Sequence, residues 1–277
     1  MRGKLSAALV LAGLLTLGLL APAGAQEAGN PVGLVPQGQL SLGWSMAQVF
    51  EQRHGDYDLR AANSATGTTT DQFNGKFEGD QYQLLELTYG LRDWCNLFAQ
   101  AGLAHGGKFL SADANSGQEW ESKLEDVFVW ALGAKARAFK LGNGLALGLA
   151  ARYLRYDDRK LGHWHENQSG YDDSAEWSAD LKMDYWQVDL TAVLSLPLGP
   201  VTPYAGLGYT YSEAKESGRN YNLNNSSWVD YDATLKNQDQ LSALCGLNLA
   251  LGQGFSFHLQ GEFVARTALG LGLSWSF

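Results

Sequence analysis

Residues 268–277 read ALGLGLSWSF. Leu269, Leu271, Leu273, Trp275 and Phe277 take every second place, and Gly270, Gly272, Ser274 and Ser276 lie between them. Successive side chains of a β-strand point to opposite faces, so a strand here has one oily face and one face of small or polar groups. The pattern recurs upstream. In 39–47 Leu40, Leu42, Trp44 and Met46 oppose Gln39, Ser41, Gly43 and Ser45. In 186–196 Trp186, Val188, Leu190, Ala192, Leu194 and Leu196 oppose Gln187, Asp189, Thr191 and Ser195. Residues 203–211 and 255–263 repeat it.

A half-exposed soluble sandwich also alternates, but its wet face favours Lys, Glu and Thr. Here that face is mostly Gly, Ser, Ala and Gln, as in a crowded interior. The runs also reach the roughly nine to eleven residues that a tilted strand needs to cross a bilayer. Strands in hydrocarbon cannot leave backbone groups unpaired, so they must close into a barrel. The expected fold is all-β: a closed, antiparallel, up-and-down transmembrane β-barrel. Ten strands are read, at 37–50, 81–91, 97–105, 127–140, 145–156, 185–196, 202–213, 240–251, 255–263 and 267–277, with eight or twelve as alternative counts. Connections 92–96, 141–144, 197–201 and 252–254 are short, whereas 51–80, 106–126, 157–184 and 214–239 are long, with a fifth, tight turn near 264–266 on the long side. Short periplasmic turns opposite long outside loops are the arrangement of bacterial outer-membrane barrels.

The N-terminus carries a different signal. Arg2 and Lys4 precede an uncharged apolar run from Leu5 to Leu20, and Ala23-Gly24-Ala25 offers a small-x-small cleavage site. Residues 1–25 are expected to be a signal peptide, 26–36 a short periplasmic segment and 37–277 the barrel. Beyond residue 25 no apolar run approaches the roughly 18 residues of a spanning helix. The 277 residues include 11 Phe, 9 Trp and 12 Tyr, too much apolar surface for a disordered chain, and the net charge of −9 argues against a nucleic-acid binder. Cys95 and Cys245, read as a turn and a mid-strand position, are not expected to bridge.

In these features the chain resembles the small outer-membrane β-barrel proteins of Gram-negative bacteria, related to the OmpA transmembrane domain and the opacity-type proteins. The signal peptide, the Pro203-Tyr204-Ala205-Gly206-Leu207-Gly208-Tyr209 strand and the terminal Leu271-Gly272-Leu273-Ser274-Trp275-Ser276-Phe277 carry the likeness. The resemblance implies that Leu271, Leu273, Trp275 and Phe277 form the signal read by the barrel-assembly machinery. It also implies a cell outer membrane location, with outer-membrane lipids and lipopolysaccharide as partners. No OmpA-type peptidoglycan-binding domain is expected to follow the barrel.

Within the barrel, Glu86, Arg137, Arg152, Asp189, His258 and Glu262 are expected to form a lumenal polar network, with Lys135, Gln100 and Gln260 nearby, because lone charges in a narrow lumen are costly. Such a network reads as a plug, and an ion path is the alternative. Trp44, Tyr89, Trp94, Trp130, Tyr153, Trp186, Tyr209, Tyr211 and Trp275 fall near strand ends and suit the headgroup layer. Loop tryptophans at 120, 164, 177 and 228 could instead make a carbohydrate platform. Of the 29 acids, 24 sit in 51–80, 106–126, 157–184 and 213–239, a solvated surface or one bridged to lipopolysaccharide by divalent cations. The Asn-rich stretch 220–227 reads as loop.

Rim chemistry has weak candidates: His54 with Asp56 and Asp58, His163 and His165 with Asp172 and Asp173, and His105 near Ser111. None matches the spacing of an outer-membrane protease, a lipid A hydrolase or a metal site, and neither metal nor cofactor is expected. The expected function is a structural or surface-interaction barrel with a filled lumen and long acidic outer loops. A small pore for ions or solutes is the first alternative and a rim hydrolase the second.

Overall fold

The computed structural model describes residues 31, 33–63, 67–166, 177–224 and 226–277, with backbone alone at 63, 163–166 and 177–179. The expected signal peptide lies outside the described residues. The strands are β1 (Leu40–Asn63), β2 (Gly67–Arg92), β3 (Cys95–His105), β4 (Lys108–Asp113), β5 (Glu119–Leu124), β6 (Val127–Lys140) and β7 (Ala146–Glu166). They continue with β8 (Trp177–Ser195), β9 (Val201–Asn222), β10 (Trp228–Lys236), β11 (Leu241–Gly252), β12 (Phe255–Val264) and β13 (Arg266–Ser276).

Ten of them close a ring. In order around it run β1, β2, β3, β6, β7, β8, β9, β11, β12 and β13, each antiparallel to the next, and β13 returns to β1. This is the ten-strand barrel that the alternation predicts. Its outer wall exposes Leu42, Leu87, Leu97, Leu132, Leu149, Leu190, Leu207 and Leu273. So large an apolar surface is tolerable only where something apolar covers it. Aromatic rows bound the apolar zone. Trp130, Tyr153, Trp186 and Tyr211 follow one another across β6, β7, β8 and β9 with ring centroids 5.6, 6.3 and 5.3 Å apart. Phe255, Trp275 and Phe277 stack at the short-turn end, at 5.8 and 4.8 Å.

The chain departs from the expected layout beyond the upper aromatic row. Residues 51–80, 106–126, 157–184 and 214–239 are largely strand rather than loop, and Asn220–Asn222, read as loop, lies within β9. β1, β2, β4, β5, β7, β8, β9 and β10 pair in that order, and β10 returns to β1, so a second, narrower ring of eight strands stands on the first. Side-chain polarity inverts there. Tyr57, Phe77, Phe109, Leu161, Leu181, Met183 and Leu235 point inward and are buried. Arg53, Asp56, Asp58, Lys160 and Lys215 are exposed on the outside. The barrel is oily outside and polar inside; the turret above it is the reverse, as expected for a wall that passes from an apolar medium into water.

On β8 the inward set stays on odd residues from Ser195 to Leu181, so there the residue types change without a bulge. Other strands carry bulges near the crossing. On β1 the inward set passes from Val49 to Gln52 and from His54 to Tyr57 across register shifts at Val49/Glu51 and His54/Asp56. On β7 it passes from Tyr156 to Arg159 across a shift where Asp158 adopts a left-handed backbone, φ 56°. Gly79, φ +70°, does the same between Asp80 and Phe77 on β2. Bulges of this kind re-aim a strand without ending it.

At the short-turn end residues 33–39 fold into the mouth. The Gly38 amide donates to the Gly90 carbonyl at 2.7 Å, and the Gly90 amide donates to that of Gln39 at 3.0 Å. Asn96, oriented to satisfy its neighbours, donates to Val35 O at 3.1 Å and accepts from Val35 N at 2.7 Å. A Cβ on Gly90 would run into the Pro36 carbonyl. Gly90→Ala is therefore expected to dislodge this strap while leaving the ring closed. Protease cleavage between residues 33 and 38 should accelerate with an unchanged heat-modifiable barrel band; equal protection in both proteins would show that the strap does not depend on this contact.

Candidate functional site

The interior is stacked in layers along the barrel axis. At the short-turn end lies an open polar vestibule of about 410 Å³, lined by Ser41, Ser45, Thr88, Asn96, Thr202, Asn248, Ser256, His258, Ser274 and Ser276. Its inner limit is a set of linked side chains. Glu86 accepts hydrogen bonds from Thr88 Oγ1 at 2.7 Å, Gln100 Nε2 at 2.7 Å and Lys135 Nζ at 3.0 Å. The Lys135 ammonium also lies 4.7 Å from the centre of the Phe98 ring. Across the lumen the Tyr204 hydroxyl donates to Gln260 Oε1 at 3.0 Å.

The next layer is ionic. Asp189 accepts from Arg152 Nε at 3.0 Å, Gln187 Nε2 at 2.7 Å and Thr210 Oγ1 at 2.8 Å, and Arg266 Nη2 lies 3.6 Å away. Arg266 also donates to Glu262 Oε2 from Nε at 3.0 Å and from Nη2 at 2.8 Å. Two cations and two anions thus balance in a layer where all four side chains are buried, the condition under which buried charge is tolerable.

The third layer begins the turret. Arg159, wholly buried, grips Asp80 with two bonds of 3.0 and 2.8 Å and donates to the carbonyls of Glu125 at 2.8 Å and Gly106 at 2.7 Å. Above it the lumen is an apolar core in which Tyr57, Phe77, Phe109, Leu124, Tyr156, Leu161, Leu181, Met183 and Leu235 pack together. The titratable groups sealed here include Tyr57, His54 and Glu216. Tyr57 bonds Ser111 Oγ at 2.7 Å, and burial holds its hydroxyl far above the ordinary phenol range. His54, edge-on to Phe77 at 4.8 Å, finds no side-chain partner for either nitrogen, and burial pulls its pKa down to about 4. Neither oxygen of Glu216 has a partner, and burial pushes its pKa up to about 7. A bare carboxylate among apolar side chains favours its neutral form.

The residues singled out in the sequence fall into different layers. Glu86 and His258 belong to the vestibule, Arg152, Asp189 and Glu262 to the ionic layer. Arg137 joins neither: it lies at the short-turn rim and donates from Nη2 to the Asp93 carbonyl at 2.8 Å. Arg266, which the sequence places in a turn, completes the ionic layer instead. Leu271, Leu273, Trp275 and Phe277 follow the outer face of β13, with Phe277 exposed against Trp275. Cys245 faces outward on β11, Cys95 opens β3, and both are free thiols.

Among the described residues, two of the rim clusters do not assemble. His54 points into the turret while Asp56 and Asp58 point out. His105 is exposed and meets Asp126 at 2.6 Å, whereas Ser111 is buried against Tyr57. The side chains of His163 and His165, and residues 172 and 173, lie outside the described set. Among the described residues no group of three metal-ligating side chains occurs. Arg159, Asp80 and Glu216 had no sequence signal, since the strands carrying them read as loop.

Outer-membrane protease OmpT from Escherichia coli shares 12% identity, with 86% of this chain covering 97% of that one, at a TM-score of 0.45. OprG from Pseudomonas aeruginosa shares 12%, with 88% covering 97%, also at 0.45. The β domain of the Bordetella autotransporter BrkA shares 13%, with 85% covering 98%, at 0.36. These neighbours are outer-membrane β-barrel proteins. No family model and no curated protein matches the chain.

Proposed function

We propose that this protein is an outer-membrane β-barrel that does not conduct, and whose task is to hold a rigid acidic β-turret beyond the membrane surface for structural or surface contacts. The observation that carries this reading is the stacked closure of the lumen, the Arg152–Asp189–Arg266–Glu262 layer followed by the apolar turret core. In this reading the short-turn end is periplasmic, the turret extracellular and the aromatic rows mark the two headgroup layers. Export by the signal peptide, recognition of β13 by the assembly machinery, and lipopolysaccharide contact through the aromatic row and the acids above it belong to the same proposal. No hydrolytic role is assigned, because among the described residues the histidines and acids of the rim do not converge.

The test is electrical. Purified protein inserted into a planar lipid bilayer should add no steady conductance to that of the bare membrane. A stable ohmic current carried by the wild-type protein would overturn the closed-barrel reading and favour the small pore.

A further inference from the structure

The vestibule has a built character that a merely unfilled barrel end lacks. Along β1 the inward side chains are Ser41, Gly43, Ser45, Ala47 and Val49, and along β13 they are Ser276, Ser274, Gly272, Gly270 and Ala268. These small residues leave space at the short-turn end, where the cavity lies. Strand register sets them in a grid: Ser41 pairs with Ser276, Gly43 with Ser274, Ser274 with Ser256, and Ser45 with Gly272 beside His258. Gly43 and Gly272 keep the grid low, and a Cβ on Gly272 would meet the His258 ring.

The hydrogen-bonding capacity of this wall is only partly used. Ser256 and Ser274 bond each other at 2.7 Å. Ser41 and Ser45 are 5% and 6% exposed, line the cavity, and make no side-chain hydrogen bond among the described residues. Asn248 Oδ1 also lacks a partner. The charged groups, by contrast, are spent: Glu86 and Lys135 neutralise each other, with Thr88 and Gln100 filling the remaining carboxylate positions. What the pocket offers a visitor is hydroxyls, each both donor and acceptor, and amides, beside apolar surface from Leu34, Val35 and Phe255 and with its Glu86 and Lys135 charges paired. Its volume of about 410 Å³ falls within the range of small-molecule sites.

We propose that the vestibule binds a small neutral polyhydroxylated solute, of sugar type, from the periplasmic side. Alternating hydroxyl and amide groups match a ligand whose every edge carries both donors and acceptors. The compensated Glu86–Lys135 pair gives an anion or cation no uncompensated charge to meet. This site is independent of whether the barrel conducts, so a bilayer current and a sugar titration fail separately.

Backbone amide shifts of the full barrel in lipid nanodiscs, titrated with glucose and maltose, test the assignment. Saturable shifts should be confined to residues 41–45, 248, 256–258 and 272–276. Ser45→Val, which replaces a free hydroxyl with methyl groups in a strand-compatible side chain, should weaken binding by about tenfold or more. Ser41→Val provides a second probe of the same wall, and heat-modifiable mobility reports that each variant is folded. Linear, non-saturating shifts, equal binding of glutamate or phosphate, or unchanged affinity in both folded variants would each overturn the proposal.

Discussion

Asp189→Ala should lower the unfolding free energy of the barrel by about 3–5 kcal/mol, the cost typical of removing one partner from a buried ion pair. Asp189 serves Arg152, Gln187 and Thr210 directly and lies 3.6 Å from Arg266. Deleting it leaves two buried guanidinium groups in a layer with one remaining carboxylate, Glu262, which is paired with Arg266. The loss therefore exceeds that of any one hydrogen bond, about 1 kcal/mol net. Urea titrations in detergent micelles, followed by tryptophan fluorescence, measure the difference. Combining Asp189→Leu with Arg152→Met should recover much of the lost stability, because a neutral, well-packed pair removes the bare charge as well as the bond. A single Asp189→Ala variant within about 1 kcal/mol of wild type would mean that the layer is hydrated and the lumen not sealed there.

The ionic layer also shows what could be read from sequence. Arg152 and Asp189 are directly opposed across β7 and β8, so counting from the short-turn end brings them together. Period two survives in the barrel half because its surroundings demand an apolar side chain at every second position. Arg137 was misplaced because the register shifts between Arg137 and Phe139 at the rim, where the side chain turns to Asp93 instead of the lumen. Arg266 escaped notice because it follows Val264, whose φ of 87° turns the chain back into β13 immediately. The turret was illegible for a related reason. Bulges near Val49, His54, Gly79 and Tyr156 shift the parity of the inward set, and on β8 the apolar set itself moves from even to odd residues between Trp186 and Tyr185, so no single phase runs through both halves. A reader looking for one phase sees noise, and the polar outward residues then look like loop.

That failure has physical content. A wall crossing from an apolar medium to water must exchange its inner and outer residue classes; β8 does so with no bulge, while β1, β2 and β7 carry bulges near the crossing. The bulges at Gly79 and Asp158 lie near this boundary, and each sits beside one partner of the buried Arg159–Asp80 ion pair. Arg159 and Asp80 sit where the narrow upper ring meets the wide lower one, and Arg159 uses its remaining donors on the Glu125 and Gly106 carbonyls at the feet of β4 and β5. A side chain with five fixed donors suits such a junction better than a lysine would.

The turret core makes a second prediction about stability, in its dependence on pH. Glu216 has its pKa raised from 4.5 to about 7 by burial. The folded state therefore holds a proton that the unfolded chain gives up, so its contribution is full below pH 4.5 and is lost as pH rises to 7. His54 has its pKa lowered from 6.5 to about 4 by burial, which the Gln52 main chain offsets only in part. Its contribution is full above pH 6.5 and is lost as pH falls to 4. At about 1.4 kcal/mol per unit, each effect is worth about 3 kcal/mol. Between pH 4.5 and 6.5 the slopes are opposite and nearly equal, so the wild-type turret should be almost insensitive to pH in that window. Single substitutions should expose the hidden slopes. Glu216→Gln should leave stability rising with pH by about 3 kcal/mol over the His54 range, and His54→Leu should leave it falling by a similar amount over the Glu216 range. Hydrogen exchange of the β9 and β10 amides across this pH range reads the turret directly. A flat profile in either variant would show that the corresponding side chain is solvated in the folded protein, and that its burial does not govern its proton.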